Sequence, residues 1–316
     1  MNDETLISAI NNFGDQSSLN KVEEPGVKKI FDHPLVDIAA ADGSFFAKLK
    51  EQLTIKRLAL LKPPLKWAGG KRWLVSDLKP IWEKHNRRRL VEPFCGGLAV
   101  TLGLMPKQAL LNDINSHLVN FFYWVKEGLY IDIPLENDQH FYYNYRKRFN
   151  RLLEEGKHNT IEAAKLFYYL NRTGYNGLCR FNKTGGFNVP FGSYKKINYL
   201  RDFSNYREVF RRWEFKSEDF EALSLDDDDF IYADPPYDVE FTQYSKQGFN
   251  WADQVRLGRW LAGHAGPVVL SNQATGRIKE LYRELGFKLI FLDAPRMISC
   301  DGNRTPAKEV LAMKNI

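Results

Sequence analysis

Apolar and polar positions follow two rhythms along the chain. LVEPF (90–94) is a short apolar stretch that stops at Cys95-Gly96-Gly97, as a buried strand would. LAVTLGL then shows helical spacing, ALLNDIN (109–115) predicts a second strand ending on Asn112-Asp113, and SHLVNFFYWVKEGL predicts a helix capped by Ser116. This β–turn–α–β order opens a doubly wound sheet. Helical patterns dominate from about 119 to 172, and NKTGGFNVPFGSY (182–194) predicts a β-hairpin with Thr184-Gly185-Gly186 at its turn. DFIYADPPY (229–237) and PVVLSNQ (267–273) predict two more buried strands, and LGFKLIFLDA and AKEVLAMKN predict a closing pair. At the other end, ADGSFFAKLKEQLTIKRLALL (41–61) carries Phe45, Leu49, Leu53 and Leu58 at helical spacing until Lys62-Pro63-Pro64 stops it.

The expected organisation is an α/β protein in three parts. Residues 1–61 form a helical extension, 62–118 with 219–316 form the sheet domain, and 119–218 form a mostly helical insertion. At 316 residues with 44% hydrophobic and 27% charged positions, the chain has a globular composition. No apolar run approaches the roughly 18 residues of a membrane span, and the N-terminus lacks the pattern of a secretory signal. Cys95, Cys179 and Cys300 stand far apart with no CxxC, which argues against a disulfide framework or cysteine metal site and fits the cytoplasm.

Charge changes the picture by region. The chain is +6 overall, but 61–118 is +6, 141–216 is +10 and 217–316 is −5. The most basic stretch also carries Phe141, Tyr142, Tyr143, Tyr145, Phe167, Tyr168, Tyr169, Tyr175 and Phe181. Clustered cations neutralise phosphates and flat rings stack on bases, so the stretch suits a nucleic acid; a solvated basic domain with an aromatic core is the plain alternative.

Three strings carry candidate chemistry. Glu92-Pro93-Phe94-Cys95-Gly96-Gly97 puts glycines at a strand-to-helix turn, where backbone can approach a ligand, and Asp113 ends the next strand, where a carboxylate can accept from ribose hydroxyls. No Walker lysine follows, so the pair suits a nucleoside cofactor such as S-adenosylmethionine; a tight turn with a capping Asp is the alternative. In Asp234-Pro235-Pro236-Tyr237 two prolines stiffen a strand end and remove two donors. The Asp234 carboxylate and the Pro235 carbonyl are left as acceptors beside the Tyr237 ring, a fit for an exocyclic amino group. Lys66-Trp67-Ala68-Gly69-Gly70-Lys71 suggests a loop near an anionic or aromatic ligand, or a surface turn. Other features read as structural. Asp226–Asp229 is a solvated loop, Arg87–Arg89 a basic face, Cys95 a small buried thiol, and Trp213, Trp251 and Trp260 are core anchors; the six histidines show no ligand spacing.

Taken together, LKWAGGK (65–71), VEPFCGG (91–97), NDINSHL (112–118), YLNRTGYNGLCRFNKTGGFNVPFGSYKK (169–196), ADPPY (233–237), LSN (270–272) and DGNRTPAKEVLAM (301–313) resemble the Dam-type DNA adenine methyltransferases that modify GATC. The resemblance spans about 62–316. It implies a Rossmann-like methyltransferase sheet with an inserted target-recognition domain, S-adenosylmethionine as donor and no metal. It places the cofactor at Trp67, Lys71, Glu92, Phe94, Gly96, Asp113 and Asp234, and catalysis at Asp234, Pro235, Pro236 and Tyr237. The implied DNA contacts are Arg180 to one guanine, Lys66 to the other, Leu178 and Pro190 to thymine, and Tyr175 as an inserted aromatic, with Asn176 and Tyr194 retained. Ser193 departs from the pattern, standing where close relatives often carry arginine. The expected protein is a monomer acting on duplex DNA, with a restriction or defence-system component as a candidate associate. Two rival readings keep part of this: the same donor with another amino acceptor (cytosine, RNA), or a silent DNA-binding relative.

Overall fold

The structure is a computed structural model and describes residues 61–238, 248–294 and 307–316. The expected extension, apart from Leu61, lies outside the described residues, as do Cys300 and 301–306 of the closing string.

Among the described residues, seven strands make one sheet: β1 (Leu90–Glu92), β2 (Ala109–Asn112), β3 (Trp213–Lys216), β4 (Phe230–Ala233), β5 (Val268–Gln273), β6 (Lys288–Ala294) and β7 (Ala307–Lys314). Their spatial order is β3-β2-β1-β4-β5-β7-β6. β1 to β5 pair in parallel, and β7 runs antiparallel between β5 and β6. The helices among the described residues are α1 (Val75–Glu83), α2 (Ala99–Leu104), α3 (Ser116–Glu127), α4 (Gln139–Glu154), α5 (Ile161–Thr173), α6 (Ser204–Phe210), α7 (Trp251–Ala262) and α8 (Gly276–Glu284). None is long and apolar enough to cross a membrane.

The apolar runs have their cause in this layering. Successive side chains of a strand point to opposite faces, so a strand covered on both sides must be apolar throughout. Leu90, Leu111, Phe230 and Tyr232 face one core, with α1, α2 and the helices of the insertion. Val91, Leu110, Ile231 and Ala233 face the other, with Leu257 and Leu261 of α7 and Ile278 and Tyr282 of α8. The chain leaves β1 for β2 on one side and later adds β4 on the other. That reversal opens a crevice at the carboxyl ends of β1 and β4, where open α/β sheets bind ligands.

Several local expectations need correction. The cap of α3 is Asn115, not Ser116: its side-chain oxygen accepts from the amides of His117 and Leu118 at 3.1 and 3.2 Å. The hairpin over 182–194 is a turn closed by the single bridge Phe181–Phe187. Asn182 Oδ1 accepts from the amides of Thr184 and Gly186, and beyond the bridge Phe191 pairs with Gly174 while the Val189 carbonyl accepts from Tyr142 and Arg146. The expected turn residues are in place and the two arms meet through the Asn182–Gly186 and Asn188–Arg180 backbone bonds, but beyond Asn188 the second arm pairs elsewhere. β3 falls inside the stretch assigned to the insertion, and α3 straddles that stretch's first boundary. Asp229 is buried and holds Arg89 through two hydrogen bonds at 2.9 and 2.6 Å, so this pair is a structural clamp and not part of a solvated loop or a free basic face.

Most insertion aromatics turn out to be core. Tyr142, Phe167, Tyr168 and Tyr169 are buried, whereas Phe141 and Tyr175 are exposed. Trp213 is buried; Trp251 and Trp260 are half-buried.

Candidate active site

The turn after β1 is drawn onto β2 by backbone bonds. The Cys95 amide donates to the Asn112 carbonyl at 2.8 Å, and the buried Asn112 amide group donates to the Pro93 carbonyl at 3.0 Å. One Asp113 oxygen accepts from the Gly96 amide at 3.1 Å and the other from the Asn115 amide at 2.9 Å. The carboxylate is thereby fixed at the strand end, although burial still raises its pKa. Gly96 has φ +45°, and a side-chain carbon there would lie 2.8 Å from the Trp67 indole nitrogen. The glycines thus let the indole close over the turn. Glu92, buried at the end of β1, accepts a hydrogen bond from the Thr101 hydroxyl, and burial pushes its carboxyl up to about 8.

The Asp-Pro-Pro-Tyr corner leaves β4 next door. Asp234 Oδ1 lies 3.1 Å from the Lys71 ammonium and accepts from the Ser271 hydroxyl at 2.8 Å. Burial raises the Asp234 carboxyl to about 6 against the pull of both partners, so it is ionised at neutral pH. Lys71 is only 5% exposed; its ammonium also donates to the Gly69 carbonyl at 3.1 Å and sits 4.4 Å from the centre of the Tyr237 ring. Burial first, then the carboxylates of Asp234 and Glu309, hold the Tyr237 hydroxyl in its neutral form.

Both corners open on one cavity of about 710 Å³. Trp67, Lys71, Glu92, Phe94, Gly96, Asp113 and Asp234 line it, and so do Pro235, Pro236 and Tyr237. Residues that the sequence did not disclose also line it. Ile114, 75% exposed, follows the strand-end Asp113. Phe220 and Phe249 close a three-ring cluster with Phe94, at 5.5 to 6.1 Å between centres. Phe220 could have been found: it follows β3, whose Trp213-Glu214-Phe215-Lys216 alternation is a strand signal. The donor set fits a cationic nucleoside. Flat rings suit a base, Asp113 suits a diol, and Glu92 and Asp234 suit a positive centre.

The residues expected to touch DNA lie outside this cavity. Several of them gather around Lys66, whose backbone pairs both ways with the Asn171 side chain at 2.8 Å. Its ammonium donates to the Arg172 carbonyl at 2.8 Å and rests 3.4 Å from the centre of the Tyr194 ring. The Tyr194 hydroxyl donates to the Gly174 carbonyl at 3.0 Å, and the Tyr175 amide donates to the Pro190 carbonyl at 2.9 Å. Tyr175 is 49% exposed, and Asn176 beside it takes a left-handed φ of 52°. Leu178 is half-buried. Exposed Arg180 donates to Asn188 Oδ1 at 2.8 Å, and Ser193 stands at a left-handed φ of 49°.

Over residues 67–298 the chain matches the family described as D12 class N6 adenine-specific DNA methyltransferase. It is 37% identical over 272 residues to the DNA adenine methylase of Vibrio cholerae, covering 79% of this chain and 94% of that protein. It is 36% identical over 265 residues to the retron Ec67 DNA adenine methylase of Escherichia coli, covering 79% and 90%. To the type II methyltransferase M.MjaIII of Methanocaldococcus jannaschii it is 32% identical over 281 residues, covering 77% and 95%.

Proposed function

The chain belongs to the D12 class of N6 adenine-specific DNA methyltransferases, and we propose that it methylates the adenine of GATC in duplex DNA after that base is swung out of the helix. S-adenosylmethionine is the methyl donor and supplies an electrophilic methyl on a positively charged sulfur. When it is bound, Asp113 would hold its ribose, the Phe94, Phe220 and Phe249 rings would flank its base, and Glu92 with Asp234 would offset its charge.

The acceptor chemistry falls to the corner after β4. The amino nitrogen of adenine is a poor nucleophile because its lone pair is spread into the ring. Hydrogen bonds donated by that amino group to Asp234 and to the Pro235 carbonyl favour a tetrahedral nitrogen and localise the pair. Tyr237 stacks on the extruded ring. Lys71 and Ser271 hold Asp234 in one orientation, so positioning and fixed charge supply most of the rate. Extrusion costs a few kcal/mol of lost stacking and pairing, which contacts from the insertion offset. One chain carries cavity, corner and basic insertion, so the protein works as a monomer. Its setting is the cytoplasm, with a restriction or defence component as possible associate.

The observation that carries this reading is the carboxyl group of Asp234, fixed by Lys71 and Ser271 between the cavity and the two prolines. Strand-resolved methylation sequencing of DNA from cells expressing the chain tests it. Methylated adenine at GATC on both strands is expected. Plasmid fully cut by a methylation-blocked GATC nuclease would exclude that site.

A further inference from the structure

The corner is gripped from behind as well as from the cavity. Near its end β5 carries Ser271-Asn272, two neighbours that point to opposite faces of the sheet. Ser271 donates to the Asp234 side chain at 2.8 Å. Asn272, fully buried, donates to Gln254 Oε1 at 3.0 Å and to the Tyr282 hydroxyl at 2.9 Å. Gln254, only 1% exposed on the first turn of α7, donates in turn to the Pro236 carbonyl at 2.8 Å. The chain Asn272–Gln254–Pro236 thus ties the backbone of the corner, while Ser271 and Lys71 tie its carboxylate.

We propose that Gln254, oriented by Asn272, is a positioning residue for methyl transfer: by holding the Pro236 carbonyl it fixes the proline pair and leaves the Pro235 carbonyl aimed at the acceptor amino group. This rests on the proposed role of the corner. A buried amide is an expensive way to fill space, because each of its polar atoms must find a partner. An apolar side chain of the same size would fill the space but leave the Pro236 carbonyl and an Asn272 N–H without a partner. What only the amide provides is a donor to one carbonyl and an acceptor for Asn272, both at fixed angles. Asn272 also accepts at its own oxygen, from the Gln273 amide at 2.8 Å, which fixes which end of the group donates.

The test compares single-turnover methyl transfer to plasmid DNA from tritiated S-adenosylmethionine for the full-length wild type, Gln254→Leu and Gln254→Glu. Gln254→Leu keeps the volume and loses the donor. Its rate at saturating substrates falls at least about tenfold, as displacement of a reacting group by a fraction of an ångström requires, while KM for donor and DNA stays near wild type; the melting temperature falls because the Pro236 carbonyl and an Asn272 N–H lose their partner. Gln254→Glu still accepts from Asn272 but donates to Pro236 only when protonated. Its rate relative to wild type therefore rises as the pH falls from 8 to 6, whereas that of Gln254→Leu stays flat. The groups about this position are Asn272 and Tyr282, with Asp234 and Asp238 near Tyr282; they are common to wild type and variants, so the rate is read as a ratio to wild type. An unchanged single-turnover rate in Gln254→Leu overturns the proposal. If Gln254→Leu does not fold, a Gln254→Glu ratio independent of pH overturns it instead. Absence of transfer by the wild type is a different outcome and removes the reading of the corner itself.

Discussion

The cavity and the insertion's reading surface solve opposite problems with the same kinds of side chain. In the cavity, carboxyl groups are buried and each is held by partners from other segments or from the adjoining turn: Asp234 by Lys71 and Ser271, Glu92 by Thr101, Asp113 by two amides. On the reading surface, Arg180 is exposed and rests on Asn188, and Lys66 rests on Tyr194 and a carbonyl. The first arrangement keeps its geometry through the reaction, so little reorganisation is left for the transition state. The second is made of contacts that can be exchanged for a base edge or a phosphate at small cost. On the proposed function, fixed groups do the chemistry and exchangeable groups the recognition.

The largest expected effect breaks the fixed half. Asp234→Ala removes the acceptor and leaves Lys71 without its carboxylate partner. Tritium transfer to DNA falls at least about 10³-fold, with a far-UV spectrum like that of wild type. Near-normal turnover would remove Asp234 from catalysis. On the exchangeable half, Arg180→Ala costs selectivity before it costs rate. Discrimination at one guanine falls by about 1–3 kcal/mol, the worth of a bidentate arginine contact. Competition between GATC duplexes and duplexes with one guanine replaced measures it. A uniform loss across all sequences would assign Arg180 to the phosphates.

The asymmetry also explains what the sequence disclosed. Parallel strands buried on both faces must be apolar runs, so β1, β2, β4 and β5 were visible from composition of short windows, as were the glycine turn and the proline corner that end two of them. The cavity is assembled from those strand ends, and every residue that the family pattern places there lines it. Pairings between distant segments left no local trace. Arg89 meets Asp229 across 140 residues, and Gln254 meets Pro236 from a helix whose pattern reports only its apolar face. The shortness of the hairpin has the same origin: its turn residues are where they should be, but beyond Asn188 the second arm is taken by Gly174, Tyr142 and Arg146. Sequence reports what a segment prefers, and not which partner competes for it.

A third prediction sharpens the fixed half through pH. Glu92 titrates near 8 because burial disfavours its charge. A cationic donor in the cavity favours the ionised form, so below that value binding must also expel a proton. Donor affinity therefore rises from pH 6 to 8 by up to about tenfold per unit and levels off above. Glu92→Gln flattens the profile. Calorimetry in buffers of different ionisation heat registers the proton release at pH 7 for the wild type alone.

The smallest effect belongs to Lys66 and has the opposite sign. Burial first, and then the neighbouring Arg172 guanidinium, bring its ammonium down from 10.5 to about 8. Below that value it is charged and available to a guanine or a phosphate; as the pH rises through 8 the charge is lost and DNA binding weakens. The change is a few-fold, the worth of one exchangeable charge on a surface with several. Fluorescence anisotropy of a GATC duplex from pH 7 to 9 at constant ionic strength measures it. Lys66→Met binds more weakly at pH 7 and loses the dependence, because the side chain that titrates is gone. A pH-dependence retained in Lys66→Met would place the titrating group elsewhere and leave Lys66 as a packing contact between the first loop and the insertion.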